Sequence, residues 1–582
     1  MSRNDEIADL LEEFADLLEA QDVNYKPRAY RDAAENVRGY HRPIEELAEE
    51  GQEAVEEIDK VGDAISSKIV EYLTTGSIEE LEELRDEMPV EMGALTSVEG
   101  VGPKTVGALY EALGITTLDE LEAAAEAGEI QSVKGFGAKT EQNILDAIPF
   151  ARQTQERELL GEARPLADSV LAYFADVEPA NRAEVAGSIR RWRETIGDVD
   201  VLVASDDGES VVEAFTDWPE ADSVIEAGTS KASVRAGGVR VDLRVVVPEE
   251  FGSALQYFTG SKEHNVHLRN VAIDRGLKIN EYGIFDVSEV ENPDDGQRVG
   301  ERLGGRTEEE IYGALDFPVF PPEMREDTGE IEAAMDGTLP DPIEEGALRG
   351  DLHTHTDWSD GNNTIAEMVA AAAERGYEYH VVSDHATGPG MVGGVGLDDD
   401  RLREQMAEVE AVAADADIPV LHGVETNIDK AGGLSTDDDL LAELDVVVAS
   451  PHAALDQDRE TATERIVTAI EHPSVDVLGH PTGRLLNRRP GLPLDYERIA
   501  EAAAANDTAL EINASPYRLD LSGEATKFAV QAGALIAINT DAHSPGELDH
   551  ARYGIHTARR GWATEADVVN TRDIDGLRDF LH

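Results

Sequence analysis

Residues 197–203 read Gly-Asp-Val-Asp-Val-Leu-Val (GDVDVLV), two carboxylates set two positions apart inside an apolar run. The alternation predicts a strand in which Asp198 and Asp200 share one face while Val199, Val201 and Val203 share the other. Two ionised carboxylates about 7 Å apart on one face repel each other unless a cation lies between them. A third acid, Asp242, interrupts the apolar strand GVRVDLRVVV (238–247) in the same way. Three strand-borne carboxylates with oxygen-only chemistry fit a two-magnesium site for in-line phosphoryl or nucleotidyl transfer. Just upstream, GSIRRWRET (187–195) supplies a hydroxyl and guanidinium groups suited to triphosphate oxygens.

Around this stretch lies a chain of 582 residues, long enough for three or four domains, with 41% hydrophobic residues. It carries 49 Lys+Arg against 122 Asp+Glu, a net charge of −73. Such charge repels nucleic acid and strains a compact state unless concentrated salt screens it. The acids are spread along the chain, and Arg outnumbers Lys 38 to 11, so the expectation is a folded protein of a salt-rich cytoplasm. There is no cysteine, so disulfides and thiolate metal ligands are excluded, and a metal must be held by His, Asp or Glu. The acidic, amphipathic first twenty residues and the lack of an eighteen-residue apolar run predict a cytoplasmic protein without membrane contact.

The expected organisation is multidomain, α then α/β. Ile7, Leu10, Leu11, Phe14, Leu17 and Leu18 form one helical stripe, so residues 1–85 read as a helical domain. Residues 86–150 hold the glycine turns SVEGVGPKTV (97–106) and SVKGFGAKTEQNI (132–144), with a poorer copy IDKVGDAISSKI at 58–69. Each turn points backbone N–H groups toward a phosphate at a helix start without needing lysine. Residues 151–260 change to a strand pattern with AEVAGSI, GDVDVLVA, GVRVDLRVVV and ALQYFTG; a mixed stretch follows to 315, and the proline- and acid-rich 316–345 reads as a linker. From 346 to 582 seven apolar strand candidates alternate with helical patterns, which predicts a parallel (β/α) barrel.

Nine His, Asp and Glu residues sit at the C-terminal ends of six of those strands: His353, His355, Asp360, His385, Glu425, His452, His480, Asp541 and His543. That is the face on which barrel active sites are built. Nine groups are too many for one ion and suffice for two or three, and imidazole with carboxylate favours zinc or manganese. Clustered ions of this kind activate water and neutralise a phosphate ester.

The run GSIRRWRETIGDVDVL, followed by VRVDLR and ALQYFTGSKEHNVHLRNVAIDRGLKINEYGIF (254–285), resembles the family X DNA polymerases of bacterial and archaeal type. The resemblance spans residues 1–315 in the order lyase domain (1–85), helix-hairpin-helix domain (86–150), palm (151–260) and thumb (261–315). It implies that Asp198, Asp200 and Asp242 hold two Mg²⁺ ions and that Asp242, assisted by Arg240, activates the primer 3′-hydroxyl. It also implies that Gly187, Ser188 and Arg191, with Gly197 beside the metal acids, serve the triphosphate of a dNTP. Tyr257, Phe258 and Gly260 would form a wall under its sugar, and Asn265 and Arg269 would contact the nascent pair and template. Lys68 falls at the family's Schiff-base lysine, with Lys26, Tyr30 and Arg31 at phosphate and sugar contacts. Three positions depart from the family: Ile189, Trp192 and Lys60 stand where an aromatic and two glycines are usual.

The barrel motifs are similar to the PHP (polymerase and histidinol phosphatase) family, a distorted seven-stranded barrel with a trinuclear site. All nine ligand positions are filled, so the resemblance implies a manganese- or zinc-dependent 3′–5′ exonuclease, extending to 3′-phosphatase or abasic endonuclease chemistry. SPHAALDQ departs from the usual residue before His452, and Arg484, Arg488 and Arg489 offer charge for a DNA backbone. The whole then reads as a monomeric gap-filling repair enzyme acting on gapped or nicked duplex DNA. The competing reading is a small-molecule phosphatase of histidinol-phosphate type with a passive DNA-binding front half.

Overall fold

The computed structural model describes all residues except 1–2, 22, 24–25, 39–43, 57, 59, 97, 99, 156, 294, 391–395, 487–490 and 582. The chain forms two compact units. One comprises Met1–Glu158, Leu166–Ser188 and Gly197–Val319, the other Leu159–Pro165, Ile189–Ile196 and Phe320–His582. No helix among the described residues is long and apolar enough to cross a membrane.

In the first unit the two helical segments expected at 1–85 and 86–150 share one apolar core running from Ile7 to Ile148. The reason is visible where Pro103–Leu113 meets Arg3–Ala20: a Cβ on Gly107 would fall 1.9 Å from the Ala20 carbonyl oxygen, so the absent side chain lets the backbones touch. The three glycine turns share one backbone geometry. Lys60, Gly100 and Gly135 all take left-handed φ, at 65°, 83° and 99°, so the lysine adopts the conformation expected of glycine there.

A five-stranded mixed sheet follows in the order Arg182–Val185, Val199–Ala204, Val239–Val246, Lys231–Ala236, Ser223–Ala227; only the second and third strands pair in parallel. Along Val239–Val246 burial alternates strictly, which puts Val241 and Leu243 in the core and Arg240, Asp242 and Arg244 on the open face. ALQYFTG, expected as a strand, instead ends the helix Phe251–Thr259. Phe251, Ala254 and Leu255 lie buried at helical spacing against Leu202 and Ala204, and that period outweighs the strand propensity of the Tyr-Phe pair. The helix Lys262–Asp274 and a three-stranded antiparallel sheet, Leu277–Asn280, Gly283–Asp286 and Glu301–Gly304, complete the unit.

The second unit is built on seven parallel strands in sequence order: Gly350–Asp351, Tyr379–Val382, Val420–Asn427, Val446–Ser450, Val477–Leu478, Ala509–Asn513 and Ile536–Asn539. Beyond their C-terminal ends the first and last are joined, Asp541 N to His353 O at 3.0 Å and His355 N to Ala542 O at 2.9 Å, so the sheet is nearly closed. Alternate strand residues enter different cores, Val446 and Val448 one, Val447 and Ala449 another. The stretch read as a linker is ordered and, from Phe320 onward, built into this unit. Arg325 is buried with its guanidinium on the Phe320 carbonyl, and buried Glu330, the first residue of the helix Glu330–Asp336, accepts from the Asp327 and Thr328 amides of the preceding turn. Proline and acid content suggested solvent, but these charges are satisfied internally.

Candidate active sites

The first cluster grows directly from the mixed sheet. Asp200 and Asp242 are register partners on the parallel pair, and Asp198 sits one residue before its strand. Each of the three offers an oxygen, and these lie within 4.8 Å of one another. Burial first, and then the Asp242 charge, push the Asp198 carboxyl above its usual range, against the pull of Arg240 and Arg157. Asp242 Oδ1 accepts from Arg240 Nε at 2.8 Å, and Arg240 also reaches Ser233 Oγ at 3.3 Å. Gly187 has φ 62°, and a Cβ there would lie 2.2 Å from Asp200 Oδ2, so glycine is what lets this turn sit against the acid. Gly197 is packed close to the Arg157 guanidinium, a cation that motif reading overlooked. Crowded carboxylates that Arg240 and Arg157 offset only in part suit small divalent cations.

The cleft over these acids is lined by Ala186, Arg240, Arg244 and Phe258 among others. Arg244, also unanticipated, lies over the Phe258 ring at 4.2 Å. Tyr257 and Phe258 meet edge to face at 5.1 Å, and Gly260 ends their helix with φ 70°. Asn265 is held from two sides, by Gln256 Nε2 at 2.6 Å and through its own amide to the Tyr257 carbonyl at 2.7 Å; Arg269 is exposed on the same helix.

Arg191 departs from expectation. It belongs to the segment Ile189–Ile196 of the second unit, and its Nε bonds Glu326 at 3.1 Å; Arg560 and Arg193 reach the same carboxylate at 3.0 and 3.5 Å. Burial alone would raise Glu326, but Arg560, Arg191 and Arg193 bring its carboxyl down to about 2. Trp192, 6% exposed, stacks on His556 with ring centres 3.5 Å apart and Arg164 over its face, so it is a packing residue of that unit.

In the helical front, Lys68 Nζ pairs with Glu80 at 2.6 Å and is mostly buried over Phe14. Tyr30 stacks on Phe14 at 4.5 Å, and burial pushes its phenol up to about 12. Arg31 is held by Asp16 and Glu19, both at 2.6 Å, while Lys26 is exposed.

The second cluster lies at the C-terminal ends of the seven parallel strands and brings together all nine expected groups. Glu425 is its centre. Its carboxylate faces His480 Nε2 at 2.9 Å, His452 Nε2 at 3.3 Å, His353 Nε2 at 3.4 Å and His355 Nε2 at 3.8 Å, and it also touches His385 Nδ1. Asp360 faces His543 at 3.2 Å and His385 at 3.5 Å, and Asp541 faces His355 at 2.9 Å. His353 Nε2, both ring nitrogens of His355 and Glu425 Oε2 are buried without a hydrogen bond. Unsatisfied lone pairs turned on one another are what a shared cation requires, so the donor set fits metal ions. Without metal, protons take the cations' place: burial opposes protonation of His385 and His543, yet Glu425 and Asp360 hold the first up to about 10, and Asp360 with Asp541 holds the second up to about 9, so bound ions would have to displace those protons.

Outer groups missed by motif reading fix these rings. Asn427 Oδ1 lies 2.7 Å from His452 Nδ1, so the unusual preceding residue leaves that histidine in place. Glu511 Oε1 lies 2.8 Å from His353 Nδ1. Their only sequence signal is a polar side chain inside a buried strand. Arg484 is not a free DNA contact: it pairs with Glu194 at 2.8 Å and donates to the Arg518 carbonyl. Arg488 and Arg489 lie outside the described residues.

Comparison with known proteins follows the same division. The sequence matches a helix-hairpin-helix domain over residues 2–78, a SAM-like helix-hairpin-helix tandem over 92–148, the DNA polymerase beta palm over 160–231, the DNA polymerase beta thumb over 254–326 and the PHP domain over 351–515. It is 36% identical to the DNA polymerase/3′-5′ exonuclease PolX of Bacillus subtilis (strain 168), over 99% of each chain. Over 343 residues it is 28% identical to DNA polymerase lambda of Rattus norvegicus, covering 55% of this chain and 56% of that one. A probable phosphatase of Thermoanaerobacter sp. (strain X514) is 31% identical over 40% of this chain and 93% of its own.

Proposed function

The chain belongs to the family X DNA polymerases that carry a C-terminal PHP domain, and we propose that its acidic cluster and its histidine-rich cluster divide synthesis from 3′-end removal during the filling of short gaps in duplex DNA. It is a DNA polymerase with a 3′–5′ exonuclease. The observation that carries the division of labour is the presence of two metal-ready clusters, three acids on the mixed sheet and, on the barrel, seven grouped His, Asp and Glu residues with His480 and Asp541 against them.

In the first cluster Asp198, Asp200 and Asp242 are the residues to hold two Mg²⁺ ions, which would neutralise the triphosphate and the charge developing in transfer. Arg240 keeps the Asp242 carboxylate oriented, with an oxygen left to accept the proton of the primer 3′-hydroxyl. The turn at Gly187 and Ser188 offers a hydroxyl and backbone N–H groups to the dNTP phosphates beside Asp200. The Tyr257–Phe258 pair with Gly260 walls the sugar, and the doubly held Asn265 and the exposed Arg269 present polar groups to the nascent pair and template.

In the second cluster His353, His355, Asp360, His385, Glu425, His452, His480, Asp541 and His543 are the residues to hold two or three Mn²⁺ or Zn²⁺ ions, which would activate water and neutralise the 3′-terminal phosphodiester. The same chemistry extends to 3′-phosphate and abasic-site ends. The glycine turns seat DNA phosphates: a Cβ on Gly100, Gly102, Gly135 or Gly137 would meet nothing within 4 Å, so the bare backbone there serves approach rather than packing. Lyase chemistry at Lys68 requires Glu80 to let the amine go.

The test is extension and 3′-end degradation on a gapped duplex in molar KCl, with Mg²⁺ or Mn²⁺. Asp200→Ala is expected to end extension and spare degradation; His353→Ala is expected to do the reverse. If either variant left its own reaction intact, the assignment of that cluster would fall.

A further inference from the structure

Between the apolar side chains Leu510 and Ile512, on the strand Ala509–Asn513, stands a glutamate that is 0% exposed. A buried carboxylate is tolerated only when its oxygens are saturated, and Glu511 accepts on both. Oε1 takes His353 Nδ1 at 2.8 Å and Asn539 Nδ2 at 2.9 Å; Oε2 takes the His480 backbone N–H at 2.6 Å and Asn513 Nδ2 at 3.4 Å. These partners follow or lie on the first, fifth, sixth and seventh barrel strands. Two of them, His353 and His480, are groups of the metal-ready cluster, and a third, Asn513, also holds Asp541 Oδ2 at 2.9 Å.

The bond to His353 has a chemical consequence. An imidazole that donates from Nδ1 carries its free lone pair on Nε2. That nitrogen is buried, makes no hydrogen bond, and lies 3.4 Å from Glu425 Oε1 and 3.7 Å from Asp541 Oδ1, where a shared ion would sit.

We infer that Glu511 is a positioning residue of the barrel's metal centre: without touching the ion, it fixes His353 in the Nδ1–H tautomer and ties that ring to the backbone of His480. The inference rests on the metal-binding reading of the barrel. Carboxylates behind ligating imidazoles raise ligand basicity and fix ring orientation. A glutamine has the same shape, but its amide group would set a donor against the His480 N–H or the Asn539 amide.

The experiment is Mn²⁺ titration followed by electron paramagnetic resonance in molar KCl, on full-length protein with the palm silenced by Asp200→Ala. Glu511→Gln is expected to weaken barrel binding about 10–100-fold, while primer extension by the single Glu511→Gln variant stays normal and reports an intact fold. In a His353→Ala background the same substitution should cost little more, since its effect runs through that ring. Unchanged affinity for Glu511→Gln, or an undiminished loss in the His353→Ala background, would overturn the inference. Unchanged Mn²⁺ binding in His353→Ala itself would instead overturn the metal reading beneath it. Should the glutamine variant fail to fold, ¹⁵N imidazole spectra of zinc-loaded wild type decide: an Nδ1–H signal for His353 supports the role and an Nε2–H signal refutes it.

Discussion

Asp200 and Asp242 stand directly opposite one another on adjacent parallel strands. The sheet, with strands about 4.8 Å apart, therefore fixes two like charges side by side whether or not a cation is present. Asp198 adds a third, half-buried, within reach of both. The site is thus an electrostatic burden in the absence of metal and a ligand set in its presence.

Asp198→Asn should accordingly raise the melting temperature of chelator-treated protein at neutral pH, because it relieves that repulsion, while lowering primer extension at least ~100-fold. Calorimetry in EDTA and extension in Mg²⁺ measure the two effects. A lower melting temperature in EDTA would show that the carboxylates do not repel.

Two glycines of one hairpin should behave oppositely. Gly107→Ala drives a Cβ into the Ala20 carbonyl and should destabilise the helical front by about 1–3 kcal/mol. Gly102→Ala meets nothing within 4 Å, so stability should change by less than about 0.5 kcal/mol. Its cost should fall on gapped-duplex binding, read by fluorescence anisotropy; equal effects of both substitutions on urea midpoints would contradict this division.

Glu326 should make the second unit acid-sensitive. Its carboxyl sits near 2 when folded against an ordinary 4.5, a depressed pKa, so its contribution is fully present above pH 4.5 and fades as pH falls toward 2. The shift corresponds to about 3 kcal/mol. Glu326→Gln should lose that amount at pH 7, removing a carboxylate shared by Arg191, Arg193 and Arg560, and should show a flatter acid limb; urea unfolding at pH 7, 4 and 3 measures both.

With a net charge of −73, stability should rise steeply with KCl up to about 1 M, where the screening length falls to ~3 Å. DNA binding should rise over part of the same range, opposite to the usual counterion-release slope. Titrations of melting temperature and anisotropy against KCl check this; tight binding at low salt would refute it.

Local pattern carried much of this protein. Period-two alternation around Asp198, Asp200 and Asp242 reports a strand face, and His, Asp and Glu groups at the ends of six of the seven apolar runs report a barrel mouth, because both signals lie within a few residues. What escaped was non-local. Glu326 stands 135 residues from Arg191, so nothing near the arginine announces its partner. Glu511 looks like one more acid in a chain with 122 Asp+Glu until the four donors around it are seen. The stretch 316–345 has the composition of a linker, yet Arg325 and Glu330 are buried because tertiary hydrogen bonds satisfy them. Helix Phe251–Thr259 was obscured by its aromatic pair, whose propensity competes with the helical spacing of its neighbours.

The second unit draws on three stretches of chain, two of them short visits, Leu159–Pro165 and Ile189–Ile196. Those visits bring Gly161 against Pro516, Trp192 onto His556 and Glu194 onto Arg484. A recombination event at residue 345 would hand on a barrel stripped of these three contacts. The barrel of this chain therefore does not begin where its own strands begin: cut out alone, it would leave His556, Arg484 and Pro516 without these coverings.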